Sequence, residues 1–493
     1  MIPESRNESS SGLSSRRVVV LGGGPAGLAA AWSLTMDGHH VTILEKEAVC
    51  GGMAGTFRRG KFRYDFGPHN IHTSHVHLLE FLKKSFGDDF RAYESVTRIY
   101  FRNRTFPYPF EGMESLKTLN LIDATLCVWG FFWQRVVSLL KGNFKSDGTY
   151  RTWLVSRFGQ YFFDIFFGPY TEKVWGVATH ELSDIVARKR IPVQSLYALV
   201  HAAITRRPKY HPEHSRSLNA YYHRNGSGAI TDFLVNEIIK NGGEIINNAT
   251  ICSLIRDNNK IIELKYSNMR GEIQTIQADL SEYIDFTVLS TIPVNQLVLY
   301  LGEEIPNEVR QAANELDYAA LVLLYLDLDH IDPLGSHILY FSEPEFPFNR
   351  ISDVGKFSRD MVPEGQTALC LEVTCSVGDA VWNMDDDEIF AMCFSPLERH
   401  GLLSRANVLD YHTRRLTHAY PRFRVGYHQR LSTIYEYMET SIDNMWMFGR
   451  QGLFTYINTD DAMWMGIQVS SNLPMRNKIG ITARDLFPKA FDS

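Results

Sequence analysis

Three glycines and a carboxylate are the first residues in this chain whose spacing could do chemistry. The run Val18-Val-Val-Leu-Gly-Gly-Gly-Pro-Ala-Gly-Leu28 leads to Val41-Thr-Ile-Leu-Glu45 and then to Gly51-Gly52. An apolar strand that meets Gly22-x-Gly24-x-x-Gly27, an alanine-rich helix, and a second strand ending in an acid together describe a dinucleotide site. Gly22 permits the tight turn, Gly24 lets backbone approach a pyrophosphate, and Gly27 lets helix and strand pack closely. Pro25 and Ala26 open the helix, whose N-terminal N–H groups and dipole favour an anion. Glu45 is placed to accept hydrogen bonds from a ribose. Lys46, Met53 and Ile251 complete the set expected to face the cofactor. A glycine triplet alone would say little; with both strands, the helix and the spaced acid it is a strong signal.

The elements that must hold these residues belong to a long chain. At 493 residues, two or three lobes are expected rather than one core. A net charge of −6 argues against a nucleic-acid footprint, which is normally basic. Cysteines at 50, 127, 252, 370, 375 and 393 form no CxxC pair and no metal spacing. No metal is therefore expected, and reduced thiols suit a cytoplasmic protein better than a disulfide framework does. Residues 1–15 read as a polar disordered tail without a signal-peptide core. Leu119 to Leu140 is the one stretch with membrane character, but Asp123, Gln134 and Arg135 argue against a spanning helix. That leaves a buried or amphipathic helix, with peripheral membrane contact as the alternative. The pattern gives no oligomeric state.

The expected class is α/β (α+β), a Rossmann-like dinucleotide-binding domain with inserted lobes. Residues 16–75, 220–292 and 440–493 would form a discontinuous nucleotide lobe. Residues 76–219, dense in Phe, Trp and Leu, read as a mainly helical insertion. Residues 293–439 read as an antiparallel-sheet substrate domain, because runs such as Leu321-Val-Leu-Leu-Tyr-Leu-Asp-Leu328 suggest strands. Gly228 to Lys240 is an expected helix. Glu244 to Ile255 is an expected single strand, and Asp285 to Pro293 a buried strand returning to the nucleotide lobe.

The Gly51-Gly52 pair beyond Glu45 resembles the FAD signature of glutathione-reductase-like flavoproteins. No second GxGxxG follows a later strand, so FAD would be held permanently and NADPH or NADH would enter only as a transient reductant. Further segments resemble the amine-oxidase and protoporphyrinogen-oxidase-like flavoproteins, and within them the UDP-galactopyranose mutases. They are Phe66-Gly-Pro-His-Asn-Ile-His-Thr73, Phe106-Pro-Tyr-Pro-Phe110, Pro169-Tyr-Thr-Glu-Lys-Val-Trp-Gly176, Lys189-Arg-Ile-Pro-Val193 and Phe448-Gly-Arg-Gln-Gly452 through Gly466.

The resemblance implies roles. His69 and His72 would lie on a loop against the flavin and donate to its edge. Gly449, Arg450, Asn458 and Asp460 would belong to the C-terminal flavin motif, with Arg450 bearing on the pyrophosphate. Arg190 and Arg350 match arginines that grip a substrate diphosphate, whose oxygens suit guanidinium forks. Tyr340, Tyr420, Tyr456 and Trp175 match residues lining the sugar–diphosphate pocket. Gly168 stands where eukaryotic mutases carry an arginine, and Asn458 where bacterial ones carry an aspartate. Near the expected uridine-stacking position, Tyr197 or His201 falls.

Two chemistries follow. One is a mutase-like isomerisation of a nucleotide sugar on reduced FAD, as in polysaccharide biosynthesis. The other is an oxidase, dehydrogenase or desaturase that removes hydride from a non-nucleotide substrate. An arginine pair suits the first, because an apolar substrate does not require two cations.

Overall fold

The apolar run at the N-terminus becomes the strand Arg17–Leu21, and from Val18 to Leu21 it is inaccessible to solvent. Continuous rather than alternating apolar character is what a parallel sheet covered on both faces demands. In this computed structural model, which describes residues 15–108, 121–140, 147–190, 220–278, 283, 285–479 and 483–487, that strand is the centre of a five-stranded sheet. The order is Met445–Met447, Phe286–Ser290, Arg17–Leu21, His40–Leu44 and Glu244–Ile246, all parallel. Strands leave Arg17–Leu21 in both directions, so a crevice opens at its C-terminal end, where ligands of such sheets bind.

The helix Pro25–Met36 begins with proline, whose fixed φ suits the first turn. It is buried along nearly its whole length because the helices Gly228–Lys240 and Thr459–Ile479 pack on it. Gly466 permits the second contact: a Cβ there would lie 2.3 Å from the Ala26 carbonyl oxygen.

The expected strand from Glu244 to Ile255 is two strands, Glu244–Ile246 and Thr250–Asp257. Asn248, with φ 55°, makes the turn between them. Asparagine tolerates this left-handed conformation better than most residues. The first strand stays in the parallel sheet, and the second starts a three-stranded antiparallel sheet with Lys260–Ser267 and Ile273–Gln277.

A seven-stranded sheet forms the second large layer. Its order is Val408–Pro421, Tyr318–Leu328, Thr367–Cys375, Arg350–Asp353, Ile338–Phe341, Thr97–Phe101 and Arg104–Pro107. Tyr318–Leu328 is buried at every position. The last two strands come from the segment expected to be mainly helical. Thr97–Phe101 pairs in parallel with Ile338–Phe341, so this hairpin completes the sheet from the other side of the sequence. Its residues offered only two short runs around one turn residue, Asn103 at φ 59°, and long-range pairing decided their place. The remainder of the described insertion is largely helical, including Leu121–Leu140, Tyr150–Phe158 and Gly168–Trp175.

Asp65 ties the two lobes together. Its buried carboxylate accepts from Thr56 Oγ1 at 2.5 Å, from the Tyr222 hydroxyl at 2.5 Å and from the Ser227 amide at 3.1 Å. Its backbone carbonyl accepts from the Tyr325 hydroxyl at 2.7 Å, which reaches across from the large sheet. All six cysteines are free thiols, five of them buried, and no described helix is long and apolar enough to cross a membrane.

Candidate active site

The crevice at the sheet's C-terminal end widens into a cleft of ≈ 2010 Å³ between the parallel sheet, the seven-stranded sheet and the helical insertion. At one end stands the glycine turn. Gly22, with φ +99°, donates its N–H to the Leu44 carbonyl at 2.9 Å. Glu45 is only 6% exposed; its Oε2 accepts from the Gly23 amide at 2.7 Å and its Oε1 from the Glu47 amide at 2.9 Å. Burial pushes this carboxyl up from its ordinary range, and the two amide bonds oppose that shift. Each oxygen keeps a lone pair for a further donor.

The glycines divide by what a Cβ would meet. On Gly27 it would sit 2.1 Å from the Gly22 carbonyl oxygen, a clash inside the fold. On Gly24 it would meet nothing within 4 Å, although Gly24 lines the cleft. Gly27 therefore serves helix–strand packing, and Gly24 leaves room at the helix N-terminus for something the chain itself does not supply. Gly51, with φ +125°, donates to the Gly23 carbonyl at 2.8 Å, and Gly52 lies against Gly24. Gly22, Pro25, Ala26, Lys46, Gly52, Met53 and Ile251 also face the cleft.

The C-terminal motif reaches the same turn. Gly449, with φ +77°, would carry a Cβ 2.9 Å from the Ala26 side chain. Arg450 donates to the carbonyls of Ala419 at 2.8 Å and Ile457 at 3.4 Å. Its guanidinium lies over Tyr420 at 5.0 Å and Tyr456 at 4.7 Å. The cation thus braces these two ring faces. Asn458 precedes the helix Thr459–Ile479, and its amide approaches Asp461 Oδ2 at 3.4 Å. Asp460 is buried in the first turn, where burial and then the neighbouring Asp461 push its carboxyl up to about 6.

Tyr420, Tyr456, Trp175 and Tyr340 all line the cleft. Tyr420 stacks on Tyr456 at 6.0 Å and meets Trp175 edge-on at 6.1 Å. Tyr340 meets Tyr170 at 5.8 Å and Tyr108 at 5.3 Å.

Arg350 sits among them, and it has a partner that the sequence reading missed. Its Nε donates to Glu372 Oε1 at 2.5 Å and its Nη2 to Glu372 Oε2 at 2.8 Å. Two parallel N–H···O bonds of this kind make a fork-on-fork pair. The Tyr420 hydroxyl closes the group at 3.4 Å from Nη2. Glu372 is 1% exposed, and Arg350, 19% exposed, lines the cleft. One signal was available: Glu372 is the lone charge in the buried strand Thr-Ala-Leu-Cys-Leu-Glu-Val-Thr-Cys. Arg190 ends the helix Ile185–Arg190, but its side chain lies outside the described residues, as do residues 191–193, Tyr197, His201, Pro109 and Phe110.

His69 lines the cleft with its Nε2 at 3.2 Å from the Phe66 carbonyl. In the neutral ring Nε2 therefore carries the proton and Nδ1 is an acceptor. Burial, followed by Arg350, lowers its pKa to about 4. His72 accepts at Nε2 from the Asn70 amide at 2.8 Å. That contact places the His72 proton on Nδ1.

Burial likewise holds His337, His412 and His418 at about 4, against an ordinary 6.5. These rings are neutral when folded but take up protons once unfolded, below about pH 6.5. Their contribution to stability is complete above that value and is lost as pH falls towards 4. Among the described residues His412 has no hydrogen bond at either ring nitrogen, and it stacks on Tyr325 at 5.0 Å. Urea unfolding between pH 7 and pH 4 should show a steady loss of stability, with His412→Phe losing about one proton less. An unaltered pH slope in that variant would refute the assignment.

A dinucleotide-type turn, a cleft at the switch point of a parallel sheet and a second antiparallel sheet over that cleft define a Rossmann-like, nucleotide-binding class of fold. Residues 20–85 match the family described as NAD(P)-binding Rossmann-like domain. An L-amino-acid oxidase from Crotalus adamanteus is 41% identical over 69 residues, which are 14% of this chain and 13% of that protein. The chain thus matches only a small part of its curated relatives. Across 94% of both chains it superposes on the structure of reduced UDP-galactopyranose mutase, with a TM-score of 0.77 and 20% identity. On putrescine oxidase bound to putrescine the TM-score is 0.63 at 14% identity, over 94% of this chain and 99% of the other. The chain thus shares a Rossmann-like dinucleotide segment with that family model over residues 20–85 and its overall fold with both of these structures.

Proposed function

We propose that the chain is an FAD-dependent enzyme whose cleft takes a nucleotide-diphosphate sugar and isomerises it in the manner of a UDP-galactopyranose mutase. The residues present fit the cofactor: Gly24 leaves a gap at the helix N-terminus, and Glu45 is fixed by two backbone amides with acceptor capacity to spare. Bound there in its reduced form, FAD supplies the electron-rich ring that a redox-neutral isomerisation needs.

The single observation that carries the substrate reading is Arg350. It stands in the cleft beside Tyr340, Tyr420 and Tyr456, held as a rigid fork by Glu372. Nε and Nη2 serve Glu372, which leaves the N–H groups of Nη1 for phosphate oxygens and for the charge that develops when a diphosphate departs. The tyrosine hydroxyls orient the sugar, and the Tyr420–Trp175 wall excludes water. His69, neutral near pH 7, presents an acceptor rather than a second cation. Arg190 is assigned as the partner arginine by its resemblance alone.

A second reading rests on a different wall. Phe158, Phe162, Phe166 and Phe167 line the same cleft and would suit an apolar substrate giving up hydride. Electron counting separates the two. Enzyme reduced anaerobically with dithionite and mixed with excess UDP-sugar should form isomer well beyond the enzyme concentration while its flavin stays reduced. Stoichiometric bleaching of oxidised enzyme by an apolar substrate, with no isomer formed, would establish the second reading instead.

A further inference from the structure

The helix Gly168–Trp175 gives Tyr170, Val174 and Trp175 to one wall of the cleft, while its Lys173 does not line the cleft at all. A second wall is the strand Ile338–Phe341, which carries Tyr340 in register with Arg350. Lys173 joins the two. Its Nζ donates to the Phe341 carbonyl at 3.1 Å and to the Glu343 carbonyl at 2.5 Å. Carbonyls two residues apart point to the same edge of an extended chain, so one ammonium holds both. A half-buried ammonium is costly unless it is hydrogen-bonded. Burial takes this one from the ordinary lysine range down to about 7; Glu343 and Glu345 oppose that shift. Among the described residues neither carboxylate comes within ion-pair distance of it, and His400 pairs with Glu345 at 3.3 Å. The bonds of Lys173 go to the backbone of the other wall instead.

Short steps connect that backbone to the arginine fork. The Phe341 amide donates to the Asn349 carbonyl at 2.9 Å, the Asn349 amide donates to the Glu372 carbonyl at 2.9 Å, and Arg350 is the next residue. Tyr340 meets Tyr170 edge-on at 5.8 Å, ring against ring between the two walls. A shift of residues 341–343 would therefore move Tyr340, the base of Arg350 and the gap to Tyr170 together. Two other bonds tie the end of the helix to the large sheet, from Thr374 Oγ1 to the Val174 carbonyl at 3.2 Å and from Arg422 Nε to the Trp175 carbonyl at 2.9 Å. Neither reaches the strand that carries Tyr340; Lys173 does.

We infer that Lys173 is a positioning residue: by clamping the strand Ile338–Phe341 to the helix Gly168–Trp175 it sets the spacing of Tyr340 and Arg350 from Tyr170 and Trp175. It touches no substrate itself. Its effect on substrate rests on the diphosphate site proposed above, whereas the clamp stands on the two carbonyl bonds alone. Charged donors make bonds about twice as strong as neutral ones. The clamp is therefore tight below about pH 7, where the ammonium keeps its proton, and loosens as pH rises through that value.

Two measurements on the full-length, FAD-loaded protein test it: hydrogen exchange over residues 338–343, and calorimetric titration with UDP. Lys173→Met keeps the stem without the ammonium. It should lose protection in that segment and bind UDP about tenfold or more weakly, as misplaced binding groups do. Lys173→Arg, a cation with donors to spare, should restore the protection and bind UDP within about threefold of the wild type. From about pH 6 to about pH 8.5 the wild type should lose affinity by about threefold relative to Lys173→Arg, a comparison in which the titration of UDP itself cancels. Unchanged exchange and unchanged UDP affinity in Lys173→Met overturn the inference. Where that variant fails to fold, wild-type exchange over 338–343 that shows no step near pH 7, after correction for the intrinsic rate, overturns it instead. Wild-type protein that never binds UDP refutes the diphosphate site, and the exchange data then decide the clamp by themselves.

Discussion

Gly24→Val should yield a folded protein that does not hold FAD, whereas Gly27→Val should not fold. The two glycines are three residues apart and face opposite surroundings. A Cβ at Gly24 meets no protein atom within 4 Å, and its backbone, at φ −78°, is open to any residue. Valine there would occupy the space in front of the helix N-terminus where a pyrophosphate must come close. FAD affinity should drop by about a hundredfold or more, about 2.7 kcal/mol, while circular dichroism and the urea midpoint of the apoprotein stay those of the wild-type apoprotein. At Gly27 the new Cβ would sit 2.1 Å from the Gly22 carbonyl oxygen and 3.2 Å from Val20. Backbone cannot yield there without parting helix from strand, and a loss of about 4 kcal/mol or more is expected. Flavin absorbance per mole of purified protein, read beside the unfolding curve, separates the cases. Stoichiometric FAD in Gly24→Val would mean that the cofactor does not approach this turn.

The second large effect concerns the pair at the centre of the cleft. Glu372 is wholly buried, and Arg350 is its ion-pair partner. Arg350→Ala would leave that carboxylate without compensation, which costs about 3–5 kcal/mol of stability in comparable buried pairs. Arg350→Met/Glu372→Leu removes both charges in similar volume and should recover most of that loss. UDP binding behaves differently. It should be lost in both proteins, by about 2–5 kcal/mol, because each lacks the fork that meets the phosphates. Arg350→Lys should keep part of the binding, since an ammonium offers charge without bidentate geometry. Calorimetric titration with UDP, together with urea unfolding, reads both quantities. A double variant that is stable and still binds UDP as tightly as the wild type would remove Arg350 from the substrate site and favour the apolar reading.

The sequence by itself determined the parts of this protein whose geometry is local. A strand, a three-glycine turn, a helix and an acid close together in the chain can close on one another in essentially one way. Gly22, Gly24, Gly27 and Glu45 were accordingly legible before any fold was known. The buried return strand at Phe286–Ser290 and the helix Gly228–Lys240 were legible for a similar reason, the one a short apolar run and the other an apolar helical period opened by glycine. Tyr340, Tyr420, Tyr456 and Trp175 could be placed in the cleft only through resemblance, because a tyrosine's own neighbours in sequence do not say which side of a strand a ligand will occupy.

Tertiary structure decided what depends on distant partners. It broke Glu244 to Ile255 at Asn248, sending one half to the parallel sheet and the other to an antiparallel one. It moved Thr97–Pro107 out of the helical insertion to the edge of the large sheet, through parallel pairing with Ile338–Phe341, far along the chain. It joined Arg350 to Glu372 across adjacent strands, which turns a free cation into a fixed fork. It turned Ile122, Trp129 and Trp133 outward: the amphipathic period was visible in sequence, but which side of that helix the protein would cover was not. Spacing specifies what a segment can do; only packing against the rest of the chain specifies what it faces.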